Sequence, residues 1–279
     1  MSNISLRTRK QIVTKLWNTK KKYFLSNSKI LINYARMQNK LSYGLYLVLI
    51  FFKTEIVYLK QKNISAKGEN YWLSDIDFKI DKESIHYKNN YIFQYMDAFS
   101  FNIPIWTKFF NKKKLISSHL EYLEIGTFEG RASVFVLENL VNANCTFVDP
   151  FIEYDEMKNT AGYSNLSPIH ENFLHNISKF PERYEFFKES SDSFFKNCIK
   201  NFDLVYIDGS HYGEDVYRDA VNSFKLLNKE GFIIFDDFFW FHFPSVDENP
   251  LGGIFKFLIE FEHLIKICFV SNQLIIMKK

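Results

Sequence analysis

The stretch Leu120-Glu121-Tyr122-Leu123-Glu124-Ile125-Gly126-Thr127-Phe128-Glu129-Gly130-Arg131-Ala132-Ser133 decides the fold. A short apolar run stops at one glycine, a second glycine follows four residues later, and a helix-like segment, Arg131–Val141, begins there. A glycine directly after a strand permits a tight reversal and close approach of a ligand to the backbone. The second glycine opens a helix whose first N–H groups have no partner within the helix. A dinucleotide-binding turn would read Gly-x-Gly-x-x-Gly. Phe128 and Arg131 stand where its second and third glycines belong, which weakens a dehydrogenase reading.

Outward from this turn the chain alternates strands and helices. The pattern predicts strands at Cys145–Val148, Tyr184–Phe187, Phe202–Ile207 and Phe232–Phe235. Between and after them it predicts helices at Pro168–Phe180, Ser191–Lys200 (N-capped by Ser190 or Ser191), Gly213–Leu227, and from Pro250 through His263. Leu264–Val270 and Gln273–Met277, joined at Ser271-Asn272, predict a closing hairpin. Such alternation implies an α/β fold with a mainly parallel sheet covered on both faces, and a two-residue turn can add only an antiparallel strand. Ligands of such sheets bind beyond the carboxyl ends of the strands. Glu124, Asp149, Asp208 and the pair Asp236-Asp237 all fall at strand ends, so four acidic ends are expected along one edge.

These residue types point to chemistry. Asp149, about twenty residues after the turn, is placed to accept hydrogen bonds from both ribose hydroxyls of a nucleoside, or else to cap a turn before Pro150. In Asp208-Gly209-Ser210-His211 a strand delivers a carboxylate and then an imidazole, which suit a metal ligand and a general base, or the positioning of an acceptor hydroxyl. Asp236 and Asp237 bring two more carboxylates, so Asp208, Asp236 and Asp237 form a candidate Mg²⁺ site, against the alternative that they cap helices and bind water. His242 follows closely with no spacing that requires it. His86, His119, His170, His175 and His263 show no ligand pairing beyond the loose spacing of His170 and His175. No Gly-x-Ser-x-Gly elbow, P-loop or His-Glu-x-x-His is present.

Composition sets the outer bounds. The 279 residues are 47% apolar, 24% charged and 18% aromatic, too apolar for a disordered chain and long enough for one sizeable core with an appendage. The net charge of +3 conceals an asymmetry: residues 1–54 hold eleven basic residues and no acidic one, leaving 24 basic against 32 acidic residues downstream. Apolar residues at Ile30, Leu31, Tyr34, Ala35, Leu41, Leu45 and Val48–Leu49 give residues 1–62 a helical period, and 62–90 are polar and linker-like. Tyr91–Phe110, aromatic and broken by Pro104, predicts two short helices. Residues 1–90 are therefore expected to form a basic helical extension and linker ahead of a domain at 91–279. A basic head suits an anionic surface, membrane or RNA, or is simply a solvated helix. It also fits an organellar transit peptide, although apolar sequence continues straight on from it. The longest apolar stretch, Gly44–Phe52, is too short to span a bilayer, which needs about 20 residues. Cys145, Cys198 and Cys268 form no Cys-x-x-Cys pair, so reduced thiols and a cytoplasmic setting, peripheral to a membrane if the head binds one, are expected.

Four segments in order carry a resemblance: residues 123–133, Val148-Asp149-Pro150-Phe151, Tyr206 through Ala220, and Gly231 through Asp237. Together they resemble class I S-adenosylmethionine-dependent methyltransferases, of the methyltransferase domain 24-like group, over about residues 100–279. The resemblance implies a Rossmann-like seven-stranded sheet in the order 3-2-1-4-5-7-6, with strand 7 antiparallel, and S-adenosylmethionine as cofactor. It implies Glu124, Gly126, Thr127 and Gly130 around the methionine part of the cofactor, Asp149 on the ribose, Ser191 and Asp192 near the adenine, and Asp208 beside them. Asp208, Asp236 and Asp237 also match the metal-binding acids of sugar and macrolide O-methyltransferases, while Ser210 stands where an acid is common. The expected reaction is O-methylation of a hydroxyl on a small molecule or saccharide, with Asp208 or His211 as base and Mg²⁺ as candidate assistant. The alternatives are an RNA or lipid-linked acceptor brought by the basic head, or a Rossmann-like binding module without catalysis.

Overall fold

The computed structural model describes residues 91–95, 97–152, 166–238, 240, 243, 246–270 and 272–279. The basic extension with its apolar stretch 44–52, the linker, His86, His242 and Ser271 lie outside the described residues.

The seven strands are β1 (Leu120–Ile125), β2 (Ala143–Val148), β3 (Tyr184–Phe187), β4 (Phe202–Ile207), β5 (Leu227–Phe235), β6 (Ile265–Val270) and β7 (Leu274–Lys278). They form one sheet in the order β3-β2-β1-β4-β5-β7-β6. Pairing is parallel from β3 through β5, and β7 runs antiparallel to both β5 and β6. Order and direction agree with the sequence expectation. The helices are α1 (Ile103–Lys113), α2 (Arg131–Asn139), α3 (Ser167–Ile177), α4 (Ser191–Asn197), α5 (Gly213–Leu226) and α6 (Pro250–Glu260).

Successive strand side chains point to opposite faces, and this alternation divides the core in two. Tyr122, Leu204, Tyr206, Phe232 and Ile234 face α1, α2 and α3, meeting Trp106, Phe110, Phe135 and Phe173. Leu123, Ile125, Val205, Ile207, Ile233 and Phe235 face α4, α5 and α6, meeting Phe194, Val216, Ala220, Phe224, Leu251 and Phe257. Central strands buried on both sides read as continuous apolar runs, as Leu204 through Ile207 do.

Two segments differ in kind from expectation. Tyr91–Phe110 holds one 3₁₀ turn, Ser100–Asn102, and one helix, with Pro104 in the first turn of α1, where its missing N–H costs nothing. Residues 91–95 carry no helix at all. β5 starts at Leu227, directly after α5, because Leu227 already pairs with Phe202 across a bulge before the regular register of Leu204 with Phe232. Its polar first half, Asn228 through Glu230, hid that strand from an apolar-run reading.

Trp106 anchors α1. It is fully buried, its ring meets that of Tyr206 edge-on at 4.8 Å, and its indole N–H donates to Gln273 Oε1 at 2.8 Å. Trp106→Ala should lower unfolding stability by roughly 3–5 kcal/mol through the cavity it leaves. Trp106→Phe, which keeps most of the packing and loses the hydrogen bond, should cost about 1–3 kcal/mol. Denaturant titration of both variants checks the order, and equal losses would deny the packing role.

Candidate active site

The site is built at the β1 turn. Gly126 and Gly130 hold positive φ values of 83° and 80°. A Cβ on Gly126 would lie 2.1 Å from the Asp208 carbonyl oxygen, and one on Gly130 would lie 2.9 Å from the Phe173 ring. Both glycines are therefore required by the chain's own packing. Asp149 closes the turn from the end of β2: its Oδ2 accepts from the N–H groups of Thr127 (2.8 Å) and Phe128 (3.1 Å), and its Oδ1 from Phe151 N–H (2.8 Å). Burial raises the pKa of Asp149, and these three N–H groups oppose the rise.

Beyond the strand ends opens a cavity of about 590 Å³. Of the residues singled out in the sequence, it is lined by Gly126, Asp149, Ser191, Asp192, Asp208, His211, Asp236 and Asp237. Glu124, Thr127 and Gly130 do not line it. Strand parity explains Glu124: it follows Tyr122 on the α2 face, is 1% exposed, and accepts from Tyr122 Oη (3.0 Å) and Ser133 Oγ (2.9 Å). Ser190, as expected, caps α4 by accepting from Ser193 N–H, and Ser210 donates to Asp215.

At the ends of β4 and β5 the acids divide. Ligand atoms of Asp208, His211 and Asp237 lie within 4.8 Å of one another, a grouping that fits a metal ion. His211 Nε2 is 2.9 Å from Asp237 Oδ2, and the imidazole stacks on Trp240 at 4.6 Å. Asp236 is outside that grouping. Its Oδ1 accepts from Asp237 N–H at 2.8 Å and its Oδ2 lies 2.5 Å from the Tyr206 hydroxyl, which also stands 2.9 Å from Asp208 Oδ2. A phenol has one proton to give, so the second of these contacts needs a proton held by the carboxyl pair. Burial supplies the reason for such a proton: it pushes Asp236 up to about 7, helped by the charge of Asp237, and raises Asp208 well above the usual range, helped by Asp236 and Asp237.

Sequence reasoning missed the far rim. Asp215, Arg218 and Asp219 of α5 line the cavity, with Arg218 paired to Asp215 at 2.6 Å and to Asp192 at 3.3 Å. Asp219 is 4% exposed, and burial pushes it up to about 7. A carboxylate on the apolar stripe of Val216, Ala220 and Phe224 was the available signal. Asp97 and Phe101, which also line the cavity, had none, since Asp97 lies outside any helix or strand and Phe101 in a single 3₁₀ turn too short to show a period.

Residues 123–238, from β1 to just past Asp237, match the family model of a methyltransferase domain. The match spans every motif that carried the resemblance. An uncharacterized protein of Acanthamoeba polyphaga mimivirus is 29% identical over 123 residues, covering 43% of this chain and 52% of that protein. The chain thus spans about half the length of that curated relative. Among solved structures, the O-methyltransferase from Bacillus cereus in complex with SAH is 15% identical, with a TM-score of 0.48, covering 66% of this chain and 83% of that one. A methyltransferase from the mycinamycin biosynthetic pathway in complex with Mg and SAH is 15% identical, with a TM-score of 0.46, covering 66% of this chain and 51% of that one.

The segment matched by that model carries a buried acid whose titration is testable. Burial pushes Glu124 up to about 8, against the pull of the Ser133 and Tyr122 hydroxyls. The folded protein therefore keeps a proton that the unfolded chain releases near pH 4.5, so this group's contribution to stability falls as pH rises toward 8 and then levels. Glu124→Gln should come close to the native protein near pH 5 and exceed it by roughly 3–4 kcal/mol at pH 8. Urea unfolding at both pH values measures the difference, and a constant gap between the two proteins would refute it.

Proposed function

We propose that this chain is an S-adenosylmethionine-dependent methyltransferase that acts on a hydroxyl of a small molecule or saccharide. The observation that carries this reading is the charge of the cavity within a methyltransferase-domain match. Eight aspartates line it against Arg218 and His211 as its basic side chains, a balance that favours a cationic ligand. The cofactor's sulfonium and ammonium are such cations. The turn at Gly126 would hold its methionine part, Asp149 its ribose, and Ser191 and Asp192 its adenine edge. Asp149 Oδ2 is taken up by the Thr127 N–H and hydroxyl and the Phe128 N–H, so a ribose hydroxyl would be received at Oδ1, which accepts only from Phe151 N–H.

When bound, S-adenosylmethionine supplies a methyl carbon that its sulfonium has already made electrophilic, which leaves the protein to align an acceptor and take its proton. His211 is the base best placed to do so: Asp237 orients the imidazole and Trp240 fixes its plane. The ring nitrogen not facing Asp237 would receive the acceptor's proton. Asp208, at the end of β4, would position the hydroxyl. If a divalent cation joins, Asp208, Asp237 and His211 are the residues grouped to hold it, and it would polarise the acceptor oxygen. Asp236 would then act from behind, fixed by Tyr206. An RNA or lipid-linked acceptor recruited by residues 1–54 is the second proposal, resting on that segment's eleven basic residues and absence of acidic ones. No helix among the described residues is long and apolar enough to cross a membrane.

Calorimetry with S-adenosylhomocysteine and transfer of a labelled methyl group to a panel of hydroxylated acceptors, with Mg²⁺ or with chelator, test the reading. Asp208→Asn and His211→Ala should each lower turnover about 100-fold or more while cofactor product still binds. Full turnover in Asp208→Asn with cofactor bound would remove that residue from the chemistry. Absence of any binding would return the chain to a non-catalytic module.

A further inference from the structure

We propose that Asp97 is the seat for the α-ammonium group of an amino-acid-bearing nucleoside, in the place that the resemblance gives to Glu124. The inference rests on the cofactor reading above and adds a residue to it.

Glu124 is turned away from the cavity, with its carboxylate between Tyr122 and Ser133 on the α2 face. A carboxylate for the charged end of such a ligand must come from elsewhere, and the chain ahead of α1 brings one. Residues 91–95 and 97–99 lie across the glycine turn as a strap. Glu129, fully buried in that turn, accepts from the N–H groups of Gln94 (2.8 Å) and Tyr95 (3.1 Å) and from Asn172 Nδ2 (2.9 Å). Asn176 of α3 joins the two parts: its Nδ2 donates to Glu129 O at 2.8 Å and to Ile92 O at 2.9 Å, and its Oδ1 accepts from Ile92 N–H. Arg131 opens α2 with its guanidinium 4.2 Å from the Phe93 ring centroid, and its Nη2 donates to Tyr95 O.

So fastened, the strap delivers Asp97 to the cavity wall. Its Oδ1 accepts from Ser100 N–H (2.8 Å) and Phe99 N–H (3.2 Å), which fixes the plane of the carboxylate. Its Oδ2 stands 3.9 Å from Arg131 Nη1, beyond hydrogen-bond range, and so has capacity for a ligand's donor. The group is half-buried. Burial alone would raise its pKa, but the Ser100 N–H and hydroxyl, the Arg131 charge and the Phe99 N–H together hold it below the usual carboxylate range. It is therefore an ionised, oriented acceptor at neutral pH. The other acids of the wall are differently engaged: Asp149 ties the turn, Asp208 and Asp236 are held by Tyr206, Asp237 by His211, Asp219 by Ser191, and Asp192 and Asp215 by Arg218. An ammonium, with three donors and a full charge, is the ligand group that such an oxygen binds best.

The test is a binding cycle on the full chain by calorimetry. The ligands are S-adenosylhomocysteine and its analogue lacking the α-amino group, and the proteins are the native chain, Asp97→Asn and Asp97→Ser. Asn keeps an oxygen for the two N–H groups that orient residue 97. The native protein should prefer the amine by about tenfold or more, the usual worth of a charge-assisted hydrogen bond, and both variants should lose that preference while holding the deaminated ligand unchanged. Persistence of the preference in either folded variant would overturn the assignment of Asp97 and leave the cofactor reading intact. Equal weakening of both ligands would mean that residue 97 acts only through the strap's fold, which also overturns it. Failure of the native protein to bind S-adenosylhomocysteine at all would remove the cofactor reading itself.

Discussion

No side chain fits at residue 126. The backbone leaving β1 passes so close to the backbone leaving β4 that a Cβ there would fall 2.1 Å from the Asp208 carbonyl oxygen. This approach sets the rest of the site. It is clamped by a hydrogen bond from Asp208 N–H to Ile125 O at 2.9 Å, while Gly126 N–H donates to Val148 O and Asp236 N–H to Ile207 O. Four neighbouring strands, β2, β1, β4 and β5, thereby end in step, and the acids after β2, β4 and β5 open onto one cavity. The glycine that a sequence reading assigns to a ligand is first of all a demand of the sheet. A ligand inherits the space that the packing has already cleared.

The second consequence is electrostatic. Bringing acids to one edge, half sunk between two apolar faces, strips water from them and sets like charges side by side. The structure answers in three ways. Backbone N–H groups take Asp149 and Asp97, a tyrosine hydroxyl bridges Asp208 and Asp236, and His211 and Arg218 pair with the acids at the mouth and rim. What these partners leave unbalanced is excess negative potential, and a site of that kind stores affinity for a cation before any arrives. The raised proton affinities of Asp208, Asp236 and Asp219 express the same excess.

Much of the scaffold was legible in the sequence because alternation of apolar runs with helical stretches leaves few topologies. Leu120–Ile125 and Phe202–Ile207 were read to the residue, and the cap was narrowed to Ser190 or Ser191, of which the structure uses Ser190, since each rests on local chemistry. Strand ends told which acids reach the edge but not which way their oxygens point. Glu124 and Asp236 are both acids at the ends of apolar strands, yet one sits behind the wall and the other beside a buried tyrosine, and only the packing of α2 and of Tyr206 decides between those fates. The strap was illegible for a different reason. Residues 91–95 have no period, and their position depends on Glu129 and Asn176, which are distant in sequence and belong to other elements. Contacts that join an irregular segment to a turn and to a separate helix leave no trace in either.

The place of β7 has a bearing on how the molecule comes into being. Residues 274–278 do not edge the sheet; they sit between β5 and β6, with Met277 beside Phe232 and Lys266. A ribosome delivers residues in chain order, so β5 emerges long before its neighbour exists. Until then the flank of β5 is an open row of backbone donors and acceptors, of the kind that recruits strands from other chains. The sheet is thus sealed from within by a segment made after both of the strands that flank it. Its completion waits on β7, and the nascent chain must be kept from foreign partners until then.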